Sequence, residues 1–178
     1  MPIHHSSFQS PIGIIEIKAS DENIISVYFT PTLKNQTPGT ENLEIEKATH
    51  PLLVECEKQL TEYFEGKRTI FQLPLHQEGT DFQQQVWGEL LHIPFGRTIS
   101  YMELSKRINN VKAIRVVGTT NGSNSIAIIV PCHRVIGSNG ELTGYSGELW
   151  RKKWLLDHEA KFTNGVQKLF AEEDAAGK

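Results

Sequence analysis

Residues 100–122, with the sequence SYMELSKRINNVKAIRVVGTTNG, indicate two short helices joined by a turn. The first helix begins with a capping box, in which the Ser100 hydroxyl and the Glu103 carboxylate satisfy exposed backbone donors, and it is predicted to cover residues 100–108. Two asparagines supply the turn, and the second helix is predicted over residues 111–120. Such a pair is typical of helix-turn-helix DNA binding, although many helix pairs bind nothing.

Basic side chains are concentrated around this helix pair, whereas the first half of the chain is acidic. Residues 1–95 carry 6 Lys and Arg against 13 Asp and Glu, whereas residues 96–178 carry 12 against 8. Within residues 96–134 there are six basic side chains and one acidic side chain. The net charge of −3 argues against a protein whose whole surface binds polyanions, so the basic segment indicates a local binding face.

The second helix of the pair has an unusual composition for a packing element. Ala113, Gly118, Thr119 and Thr120 leave a surface of low relief, from which Arg115 projects. A helix that reads the major groove offers several long polar side chains to base edges, and here only Arg115 qualifies. Contact with the minor groove, with little sequence preference, fits this helix better.

The first 80 residues predict a small sheet and one helix. Alternating apolar residues over 13–19 and 24–29 predict a β-hairpin with one buried face. A loop is predicted over 31–40 from its Pro, Thr, Asn and Gly content. Apolar residues at helical spacing predict a helix over 50–64, which Gly66 stops.

The middle of the chain predicts a change of subdomain. A short strand is expected over 71–75, and a helix follows over 81–91. Residues 94–97 form a tight turn, and the boundary between subdomains is placed at 77–80. One side of the helix is predicted to be apolar, through Phe82, Val86, Trp87, Leu90 and Leu91.

The chain has two cysteines, too few and too far apart for a disulfide framework, and free thiols indicate a reducing compartment. Cys56 lies on the apolar stripe of the first helix and is interpreted as a small buried hydrophobe. The first residues lack a signal peptide, and the longest aliphatic run, Ile126–Val130, is far below membrane-spanning length. We therefore expect a cytoplasmic protein without a membrane partner. The candidate zinc ligands fit no known spacing, so no metal is expected; they are His4, His5, His50, His76 and Cys56.

Cys132 and His133 follow an apolar run, residues 124–130, that is predicted to be a buried strand. Adjacent residues of a regular strand point to opposite faces, so the two side chains cooperate only if the chain turns there or a water relays the proton. A thiol with a pKa of about 8.5 needs a base or a cation to react at neutral pH, and His133 is the nearest base. The alternative is an inert buried cysteine beside a structural histidine.

Glu159 lies near the end of a predicted helix over 147–159 whose core face is formed by apolar residues: Leu149, Trp150, Trp154, Leu155 and Leu156. Its position, four residues after Leu155, places it on that apolar side. An acid near a helix C-terminus is disfavoured by the helix dipole, so a partner is expected, and His133 is the natural one. The alternative is a frayed terminal glutamate in solvent.

Three segments together carry a specific resemblance. The core PCHRVIG (131–137) is preceded by GRTISYMELSKRINNVKAIRVVGTTNGSN (96–124) and followed by GYSGELWRKKWLLDHE (144–159). This pattern, over roughly residues 80–160, resembles the catalytic domain of the O6-alkylguanine-DNA alkyltransferases. The segment SPIGIIEIKASDENIISVYF (10–29) resembles, more loosely, the smaller ribonuclease-H-like domain of that family.

The resemblance implies an α+β fold. It comprises a ribonuclease-H-like N-terminal domain (1–78) and a helical, helix-turn-helix (winged-helix-like) catalytic domain (79–161). The tail (162–178) is expected to be flexible from its terminal position and polar end. The resemblance also implies irreversible, single-turnover transfer of an alkyl group from guanine O6 in DNA, and possibly from thymine O4, to Cys132. No cofactor is expected, and the partner is double-stranded DNA bound through its minor groove by a monomer with the damaged base flipped out.

The resemblance also assigns roles to individual residues. His133 acts through a water as the base for Cys132, Glu159 orients His133, and Asn124 braces the active-site turn. The family usually has proline where this chain has Ser125, which bears on the rigidity of that turn. The DNA and base contacts fall on Tyr101 and Ser146 (bonds to the flipped guanine), Tyr145 (pocket wall), Val135 (base edge, with the Cys132 backbone), Arg115 (the finger that fills the gap) and Gly118 (minor-groove face).

Two other functions remain open from the residues alone. One is a non-catalytic module that binds alkylated DNA, and it is disfavoured because Cys132 is present. The other is a thiol hydrolase that uses Cys132 and His133, for which the sequence announces no oxyanion site.

Overall fold

The computed structural model describes residues 2–32 and 44–176, with side chains described up to Thr163. The chain begins with an antiparallel sheet of β1 (His4–Ser10), β2 (Gly13–Ala19) and β3 (Ile24–Phe29), in the order β1-β2-β3. The predicted hairpin, β2 and β3, is confirmed. The strand β1 was not predicted, because its sequence HHSSFQS shows no apolar alternation even though Ser6 and Ser7 are buried.

The helix α1 (Pro51–Phe64) packs against this sheet. His50 is its N-cap, and the His50 Nδ1 accepts the backbone N–H of Leu52 at 3.2 Å. Cys56 is fully buried in the core, which confirms its packing role. The helix ends as predicted before Gly66, which adopts φ +76°, a conformation that glycine accepts without strain.

The strand predicted over 71–75 does not form a ladder, and this prediction was wrong. Leu75 alone makes a bridge, to Ile24. The backbone N–H and C=O of Gln72 are instead bound by the side chain of Gln59, at 2.9 and 3.0 Å. Pro74 has no N–H to donate. The segment is therefore held by a side chain of α1 at Gln72 and by two backbone hydrogen bonds, which join Ile24 of β3 to Pro74 and His76.

The second half of the chain is mainly helical. Its elements are α2 (Asp81–Leu90), β4 (Ile99–Ser100), α3 (Tyr101–Arg107), α4 (Ile114–Gly122), β5 (Val135–Ile136) and α5 (Leu149–Ala176), with β4 and β5 paired in parallel. The two helices α3 and α4 form the predicted helix-turn-helix, and a 3-10 turn, Val111–Ala113, leads into α4. Asn109 makes the turn at φ +56°. The fold is therefore mixed α and β, as expected.

Two details of these helices differ from expectation. Leu91 was predicted on the apolar side of α2, but it follows the last residue of the helix and is 52% exposed. The Ser100 hydroxyl accepts the backbone N–H of Glu103 at 3.0 Å, as a capping box requires. The Glu103 carboxylate lies 3.4 Å from the Nε of Arg107 one turn later, so only the Ser100 half of the box is seen.

The apolar run 124–130 is not a strand, and this prediction was also wrong. The Asn124 side chain donates to the carbonyls of Val130 (2.7 Å) and Ile126 (3.1 Å) and accepts the N–H of Ile126 at 3.0 Å. Ile128 has φ +70°, which folds the run into consecutive turns. Most residues of this run are buried, and a short, mostly buried apolar run gives no periodicity that distinguishes a strand from such turns.

The buried face of α5 is more polar than predicted. Leu149 is 48% exposed, whereas Arg151 and Lys152 are fully buried. The Nη1 of Arg151 donates to the Glu148 carboxylate at 2.8 Å, and its Nε donates to the carbonyl of Ile12, in the turn between β1 and β2, at 2.8 Å. Backbone helix continues to Ala176 through most of the expected tail, while the last two residues and the side chains beyond Thr163 lie outside the described part. Flexibility of residues 162–178 stays a prediction.

Candidate active site

Cys132 lies at the start of a 3-10 turn, Cys132–Arg134, which follows Pro131. Because the chain turns here, the strand geometry that would separate Cys132 from His133 does not apply. Cys132 is 3% exposed and His133 is fully buried. Asn121 donates its side-chain amide to the Cys132 carbonyl at 3.2 Å, which fixes the turn from the side of α4.

Asn124 lies at the centre of the run that leads to Cys132. Its bonds to Ile126 and Val130 shape the turns, and its Oδ1 also accepts the side-chain amide of Gln77 at 2.8 Å. The same Gln77 amide lies 3.1 Å from the Ser125 hydroxyl. The position where the family usually has proline therefore carries a side chain that is hydrogen-bonded to the linker between the two halves.

Glu159 contacts His133 as the helix register suggested. The His133 Nε2 lies 2.6 Å from Oε2 of Glu159, and both side chains are buried. Arg134 donates from Nε to Oε1 at 2.8 Å and from Nη2 to Oε2 at 3.1 Å, and the N–H of Gly96 donates to Oε1 at 3.1 Å. Tyr63 of α1 donates its hydroxyl to Oε2 at 2.7 Å. Burial raises the pKa of Glu159, but the charges and hydrogen bonds of His133 and Arg134 outweigh burial and hold the pKa far below its usual range.

The protonation of His133 follows from these contacts. A carboxylate only accepts hydrogen bonds, so Nε2 carries the proton and Nδ1 of the neutral ring carries the lone pair. Within the described part of the chain, the buried Nδ1 has no hydrogen-bond partner. Burial lowers the pKa of His133 and the charge of Glu159 opposes this, with a net lowering. His133 is therefore neutral at rest and offers Nδ1 as a base.

The thiol of Cys132 is protonated at rest, because burial raises its pKa. A hydrogen bond from the Asn124 side chain and the charge of Lys152 lower the pKa in part, but the net shift is upward. The Lys152 Nζ donates to the carbonyls of Val135 (2.7 Å) and Thr143 (2.8 Å). Burial lowers the pKa of Lys152 to about 8, and a charge on Cys132 raises it. A thiolate at Cys132 and an ammonium at Lys152 thus stabilise each other.

Three of the six residues predicted to contact DNA or the flipped base line a pocket of about 640 Å³ between α3, α4 and the loop before α5. Tyr101, Arg115 and Gly118 line it, and the Tyr101 hydroxyl donates to the Thr143 carbonyl at 3.1 Å. Arg115 is exposed. A side chain at Gly118 would meet the Tyr101 ring at 3.7 Å, so the glycine keeps the helix face low beside the pocket.

The other three predicted residues do not line this pocket. Tyr145 is buried and Ser146 is exposed, both in the loop before α5. Val135 is buried, its carbonyl accepts from Lys152, and its N–H donates to the carbonyl of Cys132. The backbone donor of Val135 is therefore used inside the protein, and its carbonyl retains one further lone pair for a base edge.

Sequence reasoning missed three residues of this site. Lys152 lies seven residues before Glu159, hence on the same helix face, and that spacing is the signal that was available. Arg134 is part of the quoted core motif but received no role. Tyr63 is 96 residues from Glu159 in sequence, and nothing in its local pattern indicates the contact.

Two other features of the structure are candidate sites. A larger cavity of about 850 Å³ lies against Arg134 and is mainly apolar, but neither Cys132 nor His133 lines it. Among the described residues, one set of possible metal ligands comes together, His4, Asp21 and His50. His4 donates to Asp21 at 2.7 Å, and its ring stacks on His50. The Nδ1 of His50 accepts a backbone N–H at the start of α1, so Nε2 of the neutral His50 ring carries the proton and offers no lone pair to a metal. Hydrogen bonding accounts for this cluster.

No helix in the described part of the chain is long and apolar enough to cross a membrane.

The fold and the site together define a class: a protein with a helix-turn-helix of the kind that binds DNA and with a buried cysteine next to a histidine that is paired with a glutamate. Comparison with known protein families supports this class. The ribonuclease-like domain of 6-O-methylguanine DNA methyltransferases matches residues 3–77, and the DNA binding domain of these proteins matches residues 81–161. The chain belongs to the 6-O-methylguanine DNA methyltransferase family.

Individual relatives are similar over nearly their whole length. A methylated-DNA–protein-cysteine methyltransferase of Methanosarcina acetivorans is 43% identical over 160 residues, covering 88% of this chain and 98% of that protein. The constitutive protein of that name in Bacillus subtilis is 39% identical, covering 88% and 94%. The crystal structure of Mycobacterium tuberculosis O6-methylguanine methyltransferase superposes with a TM-score of 0.76 at 39% identity, covering 90% and 94%. Mycobacterium tuberculosis OGT in complex with DNA gives 0.74 at 41% identity, covering 88% and 92%.

Proposed function

We propose that this chain repairs DNA by moving a methyl or other small alkyl group from O6 of guanine to Sγ of Cys132, once per molecule. Transfer of an alkyl group from DNA to a protein cysteine is the activity of its family. One observation supports the assignment to Cys132: the next residue, His133, is buried with its Nε2 2.6 Å from Oε2 of Glu159. These residues lie in the same half of the chain as the helix-turn-helix. The other cysteine, Cys56, is fully buried in the core of the first half, where burial raises its pKa to about 12.

The chemistry is an in-line displacement at the alkyl carbon. His133 accepts the thiol proton at Nδ1, through a water, while Glu159 holds Nε2–H and stabilises the imidazolium. The Cys132 thiolate, favoured by Lys152, forms the carbon–sulfur bond as the carbon–oxygen bond to guanine breaks. The electron pair of that bond leaves with the guanine, which takes up one proton. Tyr101 and the Ser146 region stabilise the departing base.

The substrate reaches the thiol as an extruded base. O6 of a stacked guanine is inaccessible to a buried sulfur, so the nucleotide rotates out of the duplex at a cost of a few kcal/mol. Arg115, exposed beside the pocket, fills the gap left in the stack and offsets part of that cost. Gly118 keeps α4 low enough to lie in the minor groove. The basic residues around α3 and α4 contact phosphates, so binding weakens as salt concentration rises.

The product is a thioether, which none of the groups around Cys132 hydrolyses. Each molecule therefore acts once. Action as a monomer and without a cofactor is what the resemblance to the alkyltransferases implies. The residues named in this mechanism are those assigned from the sequence, with Lys152 added by its contacts.

Peptide mapping tests the assignment directly. The protein is incubated with duplex DNA that contains one O6-methylguanine and is then digested with trypsin. We expect the mass of one methylene to appear on peptide 116–134, which holds Cys132, and not on peptide 48–58, which holds Cys56. Cys132→Ala removes the transfer and leaves DNA binding, and Cys56→Ala, the matched control, retains the transfer.

Three outcomes contradict the proposal. Binding without any mass change identifies a non-catalytic module for alkylated DNA. Demethylated DNA with unmodified Cys132 and repeated turnover identifies a hydrolase. Loss of DNA affinity in Cys132→Ala equal to its loss of transfer means that the thiol is structural.

A further inference from the structure

The hydroxyl of Tyr63 joins the two halves of the chain at the acidic end of the catalytic contacts. Tyr63 lies in the last turn of α1, in the ribonuclease-like half, and is fully buried. Its hydroxyl donates to Oε2 of Glu159 at 2.7 Å. The other described hydrogen-bond donors to this carboxylate, His133, Arg134 and Gly96, all lie in the second half of the chain.

The two carboxylate oxygens of Glu159 have different environments. Oε1 accepts from Arg134 and from the Gly96 N–H, so it fixes the carboxylate to the protein frame. Oε2 accepts from the His133 Nε2 at 2.6 Å and from Tyr63 at 2.7 Å, with a longer bond from Arg134. Tyr63 and His133 therefore share one oxygen. Each hydrogen bond to that oxygen reduces its affinity for the proton of the other donor.

We propose that Tyr63 is a positioning residue for alkyl transfer, which fixes Oε2 of Glu159 against His133 and limits how strongly the carboxylate holds the imidazole proton. The proposal rests on the assignment of Cys132, His133 and Glu159 as the reacting set. It makes the ribonuclease-like half a contributor to the chemistry as well as to the fold.

Tyr63 remains a donor throughout the working pH range. Burial and the charge of Glu159 raise the pKa of Tyr63 well above its usual value. The groups that act on His133 are Glu159 and Lys152 from α5 and Arg134 from the 3-10 turn, next to Cys132. Of these groups, only Glu159 raises the pKa of His133. A change in the hydrogen bonding of Glu159 therefore changes the basicity of His133.

The ring of Tyr63 is held independently of its hydroxyl. Phe71, Phe95 and His158 surround it, with ring centroids 5.7, 5.9 and 5.1 Å away. The backbone carbonyl of Tyr63 also accepts from the His158 Nε2 at 2.7 Å. A phenylalanine at this position therefore keeps the packing of α1 on α5, and Tyr63→Phe removes one hydrogen bond alone.

The test compares the wild-type chain, Tyr63→Phe and the control Tyr28→Phe, whose ring lies on β3 and is 40% exposed. Single-turnover transfer from O6-methylguanine duplex is measured from about pH 5 to pH 10. His133 titration is followed in the free protein by nitrogen-15 NMR. With one donor fewer, Glu159 holds the imidazolium more strongly, so the pKa of His133 and the acidic limb of the rate profile both move upward, by about 0.5 to 1 pH unit. Tyr28→Phe leaves both unchanged.

Unchanged positions of the NMR titration and of the acidic limb in Tyr63→Phe overturn the proposal, and a lower melting temperature alone then assigns Tyr63 a structural contact. The NMR titration needs no DNA. A wild-type chain that fails to take up methyl therefore refutes the proposed function, while the effect of Tyr63 on His133 is still measured.

Discussion

Replacing Glu159 with glutamine tests the electrostatic core of the site, because the new side chain has the same shape and no charge. The carboxylate accepts five hydrogen bonds, three at Oε2 and two at Oε1. An amide keeps one oxygen and replaces the other with an NH₂ donor. If the NH₂ occupies the Oε1 position it faces Arg134 and the Gly96 N–H, and if it occupies the Oε2 position it faces the donors of Tyr63 and His133 as well as Arg134. In either orientation the new NH₂ donor faces other hydrogen-bond donors and cannot bond to them.

The magnitude follows from the charge that is left behind. Arg134 is 6% exposed, and Glu159 is its one carboxylate partner among the described residues. Breaking a buried pair by neutralising one member costs about 3–5 kcal/mol of unfolding free energy. For a chain of 178 residues this lowers the melting temperature by about 6 to 20 °C. Loss of an oriented base slows alkyl transfer by about 10² to 10⁴-fold.

The assay is single-turnover methyl transfer at a temperature where circular dichroism shows the variant to be folded. Glu78→Gln, at an exposed position, is the matched control and is expected to behave as wild type. A folded Glu159→Gln whose transfer rate lies within about threefold of wild type would refute the reasoning, because the His133–Glu159 contact would then contribute almost nothing to basicity.

The same substitution has a defined pH dependence. Burial alone raises the pKa of Glu159, but its partners lower it below the value of about 4.3 for an unfolded glutamate. A group of this kind stabilises the fold fully above its unfolded pKa, and the stabilisation is lost as pH falls through the range toward the folded pKa. The difference in unfolding free energy between wild type and Glu159→Gln is therefore expected to narrow below about pH 4.

Three other substitutions separate binding, ionisation and structure. Arg115→Ala is expected to slow repair in duplex DNA about tenfold or more and to leave reaction with free O6-methylguanine unchanged, since extrusion has a cost of a few kcal/mol only in the duplex; equal losses on both substrates would remove the finger role. Lys152→Met is expected to slow transfer about tenfold at neutral pH because the Cys132 thiolate loses its cation, and an unchanged rate would show that His133 alone controls ionisation. Asn124→Ala leaves the carbonyl of Val130 without this donor and is expected to cost about 1–3 kcal/mol in chemical denaturation; no loss would mean that the turn holds itself.

The parts of this structure that were predictable are those coded within a few residues. The apolar spacing of α1, α2 and α3 is local, and their bounds were predicted to within one residue. The helix α4 begins three residues later than predicted, because a 3-10 turn precedes it. The strand β1 and the turns over 124–130 were not predicted, because their backbone bonds are decided by distant or side-chain partners that periodicity does not show. The contact of Glu159 with His133 was inferred because an acid on an apolar face requires a partner. Nothing in the local sequence around Tyr63 indicates that its hydroxyl contacts Glu159.

The balance of charge in the site constrains where the reaction's proton goes. At rest the buried groups are the anion Glu159 and the cations Arg134 and Lys152, with neutral His133 and a protonated thiol at Cys132. Proton transfer creates a thiolate and an imidazolium together, so the net charge of the pocket does not change. Alkylation then removes the thiolate, and an imidazolium left behind would be an extra buried cation beside two others, which is costly at low dielectric. In the mechanism that we propose, the proton on His133 therefore leaves with the guanine. The basicity of His133, which we propose that Glu159 and Tyr63 set, then governs both the ionisation of the sulfur and the release of the repaired base.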